Sequence, residues 1–531
     1  MSGSDVSWID LVVLAGYVVG TRLLFGWYFA RKTREEGGSE SYFLAGRNIR
    51  WPIIGLSFYV ANMSGSSFVA LPASGYNDGI AAYNYEWIPV LLLIFYVAFV
   101  LPLYLKSEIF TAPEFLERRY GISSRLFFSG FQLLANIFVD AAAALYAGAM
   151  IAQAIYPDIP LWITVAVTAA IAGIYIASGG LGAVVINDAL QATMIFLGGG
   201  VVAFLAWRKL PSWDAVRNSA PADGLSLIQP ASDDILPWPG ILTGVLVIGF
   251  YFWCSNQVVI QRSLAAKTLD HGRWGSLFAG LLKLPNLFLL ILPGVMATAL
   301  YPDLENPDLV FPTLAFDLLP IGVRGLVLAA IAAAILSSLE AIFNSASTLF
   351  TMDFVRYAKP DIADRKLAWI GRMATLGTMV LSALWAPQIA TFPTLWQYLQ
   401  SILAYVTPPA VAVILFGLFW IRATSTAAIT TFAVGLPVGI GAWIAIEVLQ
   451  WHTFPYLYSC GLILLFSCIV LVSVSQLTEK PKQEQIDCCV WQPSIWTEES
   501  KSLRQKPWYA NYRHQSAALG LLTAAIVIWW W

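Results

Sequence analysis

Ala61-Asn62-Met63-Ser64-Gly65-Ser66-Ser67 lies in the middle of an apolar run that extends from about residue 51 to 71. Four of the seven are Gly or Ser, and one is Asn. Gly is a poor helix former, and Ser and Asn compete with the helix by bonding nearby backbone. Irregular backbone at membrane depth is tolerated only where it is buried in protein or lines a cavity, and there its free carbonyls are able to hold a cation. A single Gly or Ser in a membrane helix usually serves close packing. A run of small polar residues points instead to an interrupted second span. Two further apolar runs carry polar stretches, Cys254-Ser255-Asn256-Gln257 and Ser337-Ser338-Leu339-Glu340.

The rest of the chain sets this run in a membrane. Of 531 residues, 58% are hydrophobic and only 12% charged, against about one quarter charged in a soluble domain. This composition excludes a soluble enzyme, a nucleic-acid binder and a disordered scaffold. The net charge of −2 gives no bulk attraction to acidic partners. The five cysteines argue neither a disulfide framework nor a metal site, and the acidic start Met1–Asp5 is not that of a signal peptide.

A membrane helix needs about 20 mostly apolar residues. Fourteen such runs are expected, near 6–30, 51–71, 79–105, 125–155, 159–177, 183–207, 239–260, 275–301, 320–352, 367–386, 391–421, 424–449, 455–476 and 514–531. If the loop after the first span is cytoplasmic, 24 of the 30 Lys and Arg fall on the cytoplasmic side, the bias expected of cytoplasmic loops. The expectation is an all-α polytopic protein of the cell membrane with both termini on the non-cytoplasmic side.

Asp140, Asp188, Lys283 and Glu340 lie well inside apolar runs, and Glu86 lies about two turns into the third. One such charge at a helix centre costs about 2.5–3.5 kcal/mol on insertion scales. Any one is explained by an ion pair within the bundle; five beside the polar runs favour a solute or ion pathway. Ala334, Ser337, Ser338 and Ala341 share one helix face by their 3-4 spacing, so the hydroxyls are able to face the interrupted span. Glu340 follows one turn after Ser337.

Three stretches resemble motifs of the sodium/solute symporter family: Gly179-Gly180-Leu181-Gly182-Ala183-Val184-Val185-Ile186-Asn187-Asp188-Ala189-Leu190-Gln191, Asn256-Gln257-Val258-Val259-Ile260-Gln261-Arg262-Ser263-Leu264-Ala265-Ala266-Lys267, and Ser337-Ser338-Leu339-Glu340-Ala341-Ile342-Phe343-Asn344-Ser345-Ala346-Ser347-Thr348-Leu349-Phe350-Thr351-Met352-Asp353. The sodium–glucose branch is the most similar. The resemblance implies a single transporter domain over 1–531 with the leucine-transporter fold, five helices (51–207) repeated upside down (239–421), one added helix at 6–30 and further helices at 424–531. It implies a Na⁺ site made by the carbonyls of Val60, Met63 and Ala334 and the hydroxyls of Ser337 and Ser338, with Asp188 as a supporting or second-cation residue. It implies a sugar site of Asn62, Glu86, Asn256, Lys283 and Gln400, with Trp396 as an aromatic lid. Neutral polyols need such mixed donors and acceptors, because an unpaired buried polar group costs about 1–3 kcal/mol. The chain departs from the branch at Ser67 and Pro89, and at Val258 and Val259 where a gating Tyr is expected. It also departs at Glu340, expected to support a second cation or a proton together with Asp188.

The expected function is Na⁺-coupled symport of a neutral sugar or polyol across the bilayer by alternating access. The alternative is a Na⁺- or H⁺-coupled symporter of another small solute, such as an amino acid, a carboxylate or a nucleoside-like molecule. An enzyme is not expected, since the three histidines (His271, His452 and His514) form no metal or nucleophile constellation.

Overall fold

The computed structural model describes residues 7–10, 12, 13, 16, 20, 47–107, 109, 111–175, 181–221, 223–452 and 454–531. Most of the expected first span, 6–30, lies outside these residues, as do Gly179 and Gly180. Apart from isolated β-bridges, the regular elements among the described residues are helices.

Nine helical stretches among the described residues are long and apolar enough to cross a membrane. A tenth is obtained if Leu395–Val406 and Pro408–Phe419, bent by 54°, count as one span. Fourteen were expected, and the difference has visible causes. The expected second span is cut into pieces of 12 and 14 residues. Its second piece runs on through the third as one helical stretch, Gly65–Lys106. The expected fifth span is a helix of only 15 residues, Leu161–Tyr175. The last helix, Tyr512–Trp529, opens on the polar sequence Tyr-Arg-His-Gln. One further difference concerns the cysteines: Cys488 and Cys489 are joined to each other in a disulfide.

The helices that position the central cavity are, in chain order, α1 (Trp51–Asn62), α2 (Gly65–Asp78), α3 (Asn84–Phe95), α4 (Ile122–Ala135), α5 (Ala142–Ile155), α6 (Leu181–Lys209), α7 (Leu246–Ser255), α8 (Gln257–Leu264), α9 (Leu269–Lys283), α10 (Val323–Thr348), α11 (Leu395–Val406) and α12 (Pro408–Phe419). A π-helical segment, Asn136–Ala141, joins α4 to α5. Helix α1 packs along α9 and α6, and α10 packs against α6, α2 and the π segment.

The described part of the N-terminal helix is tied to the start of α10. Asp10 accepts from the backbone N–H groups of Gly322 (2.8 Å) and Gly325 (2.9 Å) and from the Arg324 guanidinium (2.7 and 3.0 Å). A carboxylate at a helix N-terminus is favoured both by the orphan N–H groups and by the helix dipole.

Candidate functional site

The second span breaks where its small polar residues stand. Helix α1 ends at Asn62, Met63 has ψ 66°, Ser64 is extended with ψ 171°, and α2 begins at Gly65. A helix end leaves its last carbonyls without intrahelical partners. Met63 N–H returns to the Tyr59 carbonyl (2.9 Å) and the Ser67 hydroxyl bonds the Asn62 carbonyl (3.2 Å). Among the described residues, no backbone N–H reaches the carbonyls of Val60 or Met63. The break presses directly on α10: a Cβ at Gly65 would stand 2.0 Å from Ile335 Cγ1 and 2.9 Å from Ile335 N. Only Gly permits this approach.

Two residues beyond Ile335, the polar run of α10 faces the same space. Val60, Ala61, Asn62, Ser64, Ser66 and Ser67 line one cavity with Ser337 and Ser338. The Ser338 hydroxyl has no hydrogen-bond partner among the described residues. Met63 and Ala334 are buried beside the cavity but do not line it. The expected part of these two in the Na⁺ site is played by their backbone carbonyls.

Asp188, on α6, reaches the same wall but spends its charge on a partner the sequence reading did not name. Arg262 of α8 pairs with it at 3.2 Å and also bonds the Ser57 hydroxyl at 3.1 Å. Ser57 donates to Asp188 at 2.6 Å, and the Ser337 hydroxyl lies 3.5 Å from it. The arrangement makes Asp188 a brace between α1, α8 and α10. Glu340 is buried on α10, one turn from Ser337, and is not part of the cavity wall.

The expected solute residues form a second polar group. Lys283 and Glu86 make an ion pair at 2.9 Å with both side chains buried. Lys283 also bonds the Asn62 side chain and lies 5.1 Å from the centre of the Trp253 ring. Asn286 donates to Glu86 at 2.6 Å and accepts from Tyr59 at 2.8 Å. Glu86 and Asn62 line the cavity, whereas Lys283 stands behind them. Asn286 and Tyr59 were missed because a lone polar residue in an apolar run carries no pattern.

Asn256, Trp396, Gln400 and Ser67 also line the cavity, as do Pro89 and Val258, where the chain departs from the sugar branch. Asn256 interrupts its span as Met63 and Ser64 interrupt theirs: it is extended (ψ 123°), separates α7 from α8, and caps α8 by accepting from Val258 N–H at 2.9 Å. Trp396 meets Tyr85 edge to face at 5.1 Å. Trp396 Nε1 and Gln400 Oε1 are buried and have no hydrogen-bond partner among the described residues. Buried polar atoms are normally satisfied, so a donor and an acceptor left open on one cavity wall suit a ligand carrying both functions. Asp140, in the π segment, lines the cavity as well.

The sequence model of the sodium:solute symporter family matches residues 42–435. Sodium/glucose cotransporter 4 of Danio rerio is 31% identical, over 94% of this chain and 83% of its own length. Sodium/myo-inositol cotransporter 2 of Mus musculus is 33% identical over 91% of this chain and 79% of its own. The sodium/glucose cotransporter of Vibrio parahaemolyticus is 34% identical over 82% and 85%. Among solved structures, a Na⁺-coupled sialic acid symporter in a substrate-bound outward-open state superposes with a TM-score of 0.75 at 22% identity, covering 90% of this chain and 99% of that one. A nucleobase-cation-symport-1 family transporter gives 0.51 at 12% identity, covering 84% and 97%.

Proposed function

The chain belongs to the sodium:solute symporter family, and from that premise we propose that its solute is a neutral sugar or polyol. It is a membrane protein with multiple spanning helices, and sodium is the coupled ion. The observation that carries the proposal is the single cavity in which the broken end of α1 at Val60–Asn62, the Ser338 hydroxyl, Glu86 and the unpartnered Gln400 and Trp396 atoms meet. The names of the glucose and myo-inositol relatives support the same class of solute.

In this reading the carbonyls of Val60, Met63 and Ala334 and the hydroxyls of Ser337 and Ser338 replace the water shell of Na⁺. Hard cations prefer such oxygen donors. Asn62 and Glu86, braced by Lys283 and Asn286, hold the solute hydroxyls together with Asn256, Ser67 and Gln400, and Trp396 covers the ring. Sodium bridging α1 and α10 favours the outward-facing arrangement in which the solute groups are assembled; its loss on the inside lets α10 move and frees the solute. This is a population shift, and its size is set by how differently the two states bind sodium. The membrane potential adds about 2.3 kcal/mol per charge per 100 mV.

The domain plan proceeds from the same premise. Residues 51–207 and 239–421 form two inverted five-helix repeats within about fourteen spans, with added helices at 6–30 and 424–531. The interruption near the start of each repeat, at Met63–Ser64 and at Asn256, supports this pairing, as inverted-repeat transporters place their sites at broken helices.

The test is uptake of labelled glucose and myo-inositol into proteoliposomes, with Na⁺ or K⁺ outside. Na⁺-dependent accumulation of either is expected, and Ser338→Ala should remove the Na⁺ dependence while the protein still folds. Carriage of amino acids or carboxylates without sugars or polyols would replace the proposed solute, and unchanged Na⁺ affinity in Ser338→Ala would move the ion site elsewhere.

A further inference from the structure

Four acidic or basic side chains, leaving aside the phenol of Tyr85, line the cavity among the described residues: Glu86, Asp140, Asp188 and Arg262. Glu86 is neutralised by Lys283 at 2.9 Å, and Asp188 by Arg262 at 3.2 Å. Asp140 accepts no hydrogen bond and meets no cation among the described residues. It is therefore the one lining charge with no counterpart. Its placement is specific. It sits in a π segment, Asn136–Ala141, a helix irregularity that recurs at functional sites and changes which way the following side chains face.

Helix register locates it against α10. Asn136 bonds the Ser345 hydroxyl at 3.3 Å, and a Cβ on Gly148 would lie 3.6 Å from Ile335 Cγ2. The two segments thus run antiparallel. One turn along from Asn136, Asp140 comes level with Ala341 and Ile342, which line the same cavity. Ser338 is one turn further along α10, about 5 Å of rise. The proposed sodium donors are all neutral carbonyls and hydroxyls, and the nearest carboxylate, Asp188, already has its guanidinium.

We infer that Asp140 is the counter-charge of the sodium site, acting through the field in the cavity rather than as a ligand, and that it sets the cation affinity of the symporter. The ion adds one positive charge to a cavity whose lining otherwise carries one uncompensated negative charge. At about 10 Å and an effective dielectric constant of about 20, attraction between unit charges corresponds to roughly tenfold in affinity. The inference rests on the reading of Ser337 and Ser338 as sodium donors.

The test compares wild type, Asp140→Asn and Asp140→Glu in proteoliposomes and as purified protein. Two quantities are read: the half-saturating Na⁺ concentration, from uptake and from the Na⁺-dependent rise in Tm without solute, and the solute KM at saturating Na⁺. Asp140→Asn should raise half-saturating Na⁺ about tenfold and leave the solute KM within twofold. Asp140→Glu, which keeps the charge, should stay within threefold of wild type for Na⁺. Unchanged Na⁺ affinity in Asp140→Asn overturns the inference. So does a rise in solute KM alone, which would make Asp140 a solute ligand, and so does a Glu variant as weak as the Asn variant. A wild type that shows no Na⁺ dependence removes the sodium-site reading itself. Wild-type dependence with an unaffected Asn variant removes only the role of Asp140.

Discussion

Lys283 and Glu86 show what a buried pair demands of the fold. Both side chains are almost fully removed from solvent, and Asn62 and Asn286 take up their remaining bonds. Removing one partner of such a pair leaves the other charge buried alone, at a cost of about 3–5 kcal/mol, whereas replacing both with apolar or neutral groups is often close to neutral. Lys283→Met should therefore lower the Tm of the purified protein strongly. Lys283→Met with Glu86→Gln should recover most of that loss while transport stays impaired, because Glu86 lines the cavity. Thermal unfolding of the single and double variants checks this; equal Tm values for Lys283→Met and the double variant would refute it. The two charges were legible in the sequence because a charge inside an apolar run is costly and calls for a reason. Arg262 was not, because it lies at the edge of its run, where Lys and Arg are ordinary. Only the fold shows that it turns inward to Asp188.

At the scale of helices, the polar runs did not all have one meaning. The Gly- and Ser-rich run at 61–67 interrupts its span, and Asn256 interrupts another. Ser337-Ser338-Leu339-Glu340 leaves α10 continuous. The difference lies upstream: Ala329-Ala330-Ile331-Ala332-Ala333-Ala334 is rich in the strongest helix former, which carries the helix through the serines. A further element is held by a loop residue that no pattern announced. Asp308, between the spans, is buried and accepts from Leu395 N–H with both carboxylate oxygens (3.1 Å each) and from the Tyr146 hydroxyl (3.1 Å). It thus ties the first turn of α11, which carries Trp396 and Gln400, to α5. Burial pushes its carboxyl up to about 6. The ionised form suits a helix N-terminus, so as external pH falls through about 6 the tie weakens. The solute KM should then rise, and Asp308→Asn should flatten that profile. Stability moves in the opposite sense: the folded state binds the proton more tightly than the unfolded chain, so this group's contribution to stability is lost as pH rises from about 4 to about 6. An uptake profile of Asp308→Asn that still bends near pH 6 as in wild type would exclude the tie.

For the whole molecule, the distribution of charge bears on which loops share a side of the membrane. Between the loop after α6 and the segment before Tyr512–Trp529, the chain passes through seven helical segments long enough to cross a membrane, Trp238–Leu264, Leu269–Leu300, Val323–Ala358, Asp364–Thr391, Leu395–Phe419, Ser425–Val448 and Tyr456–Leu477, besides the short helix Val310–Leu318. An odd number of crossings puts the flanking loops on opposite sides. The second of them, 477–513, carries six Lys and Arg; the positive-inside rule predicts it to be cytoplasmic, and residues 210–237 are then expected outside. Asn218 and Ser502 are both exposed. With the native cysteines replaced by Ser, Asn218→Cys should react with a membrane-impermeant maleimide on intact cells, and Ser502→Cys only after the membrane is opened. Labelling of both on intact cells would mean that one of the seven segments does not cross. The candidate for that failure is the pair α11 and α12, bent by 54°, because a sharp bend is also how a re-entrant segment turns back.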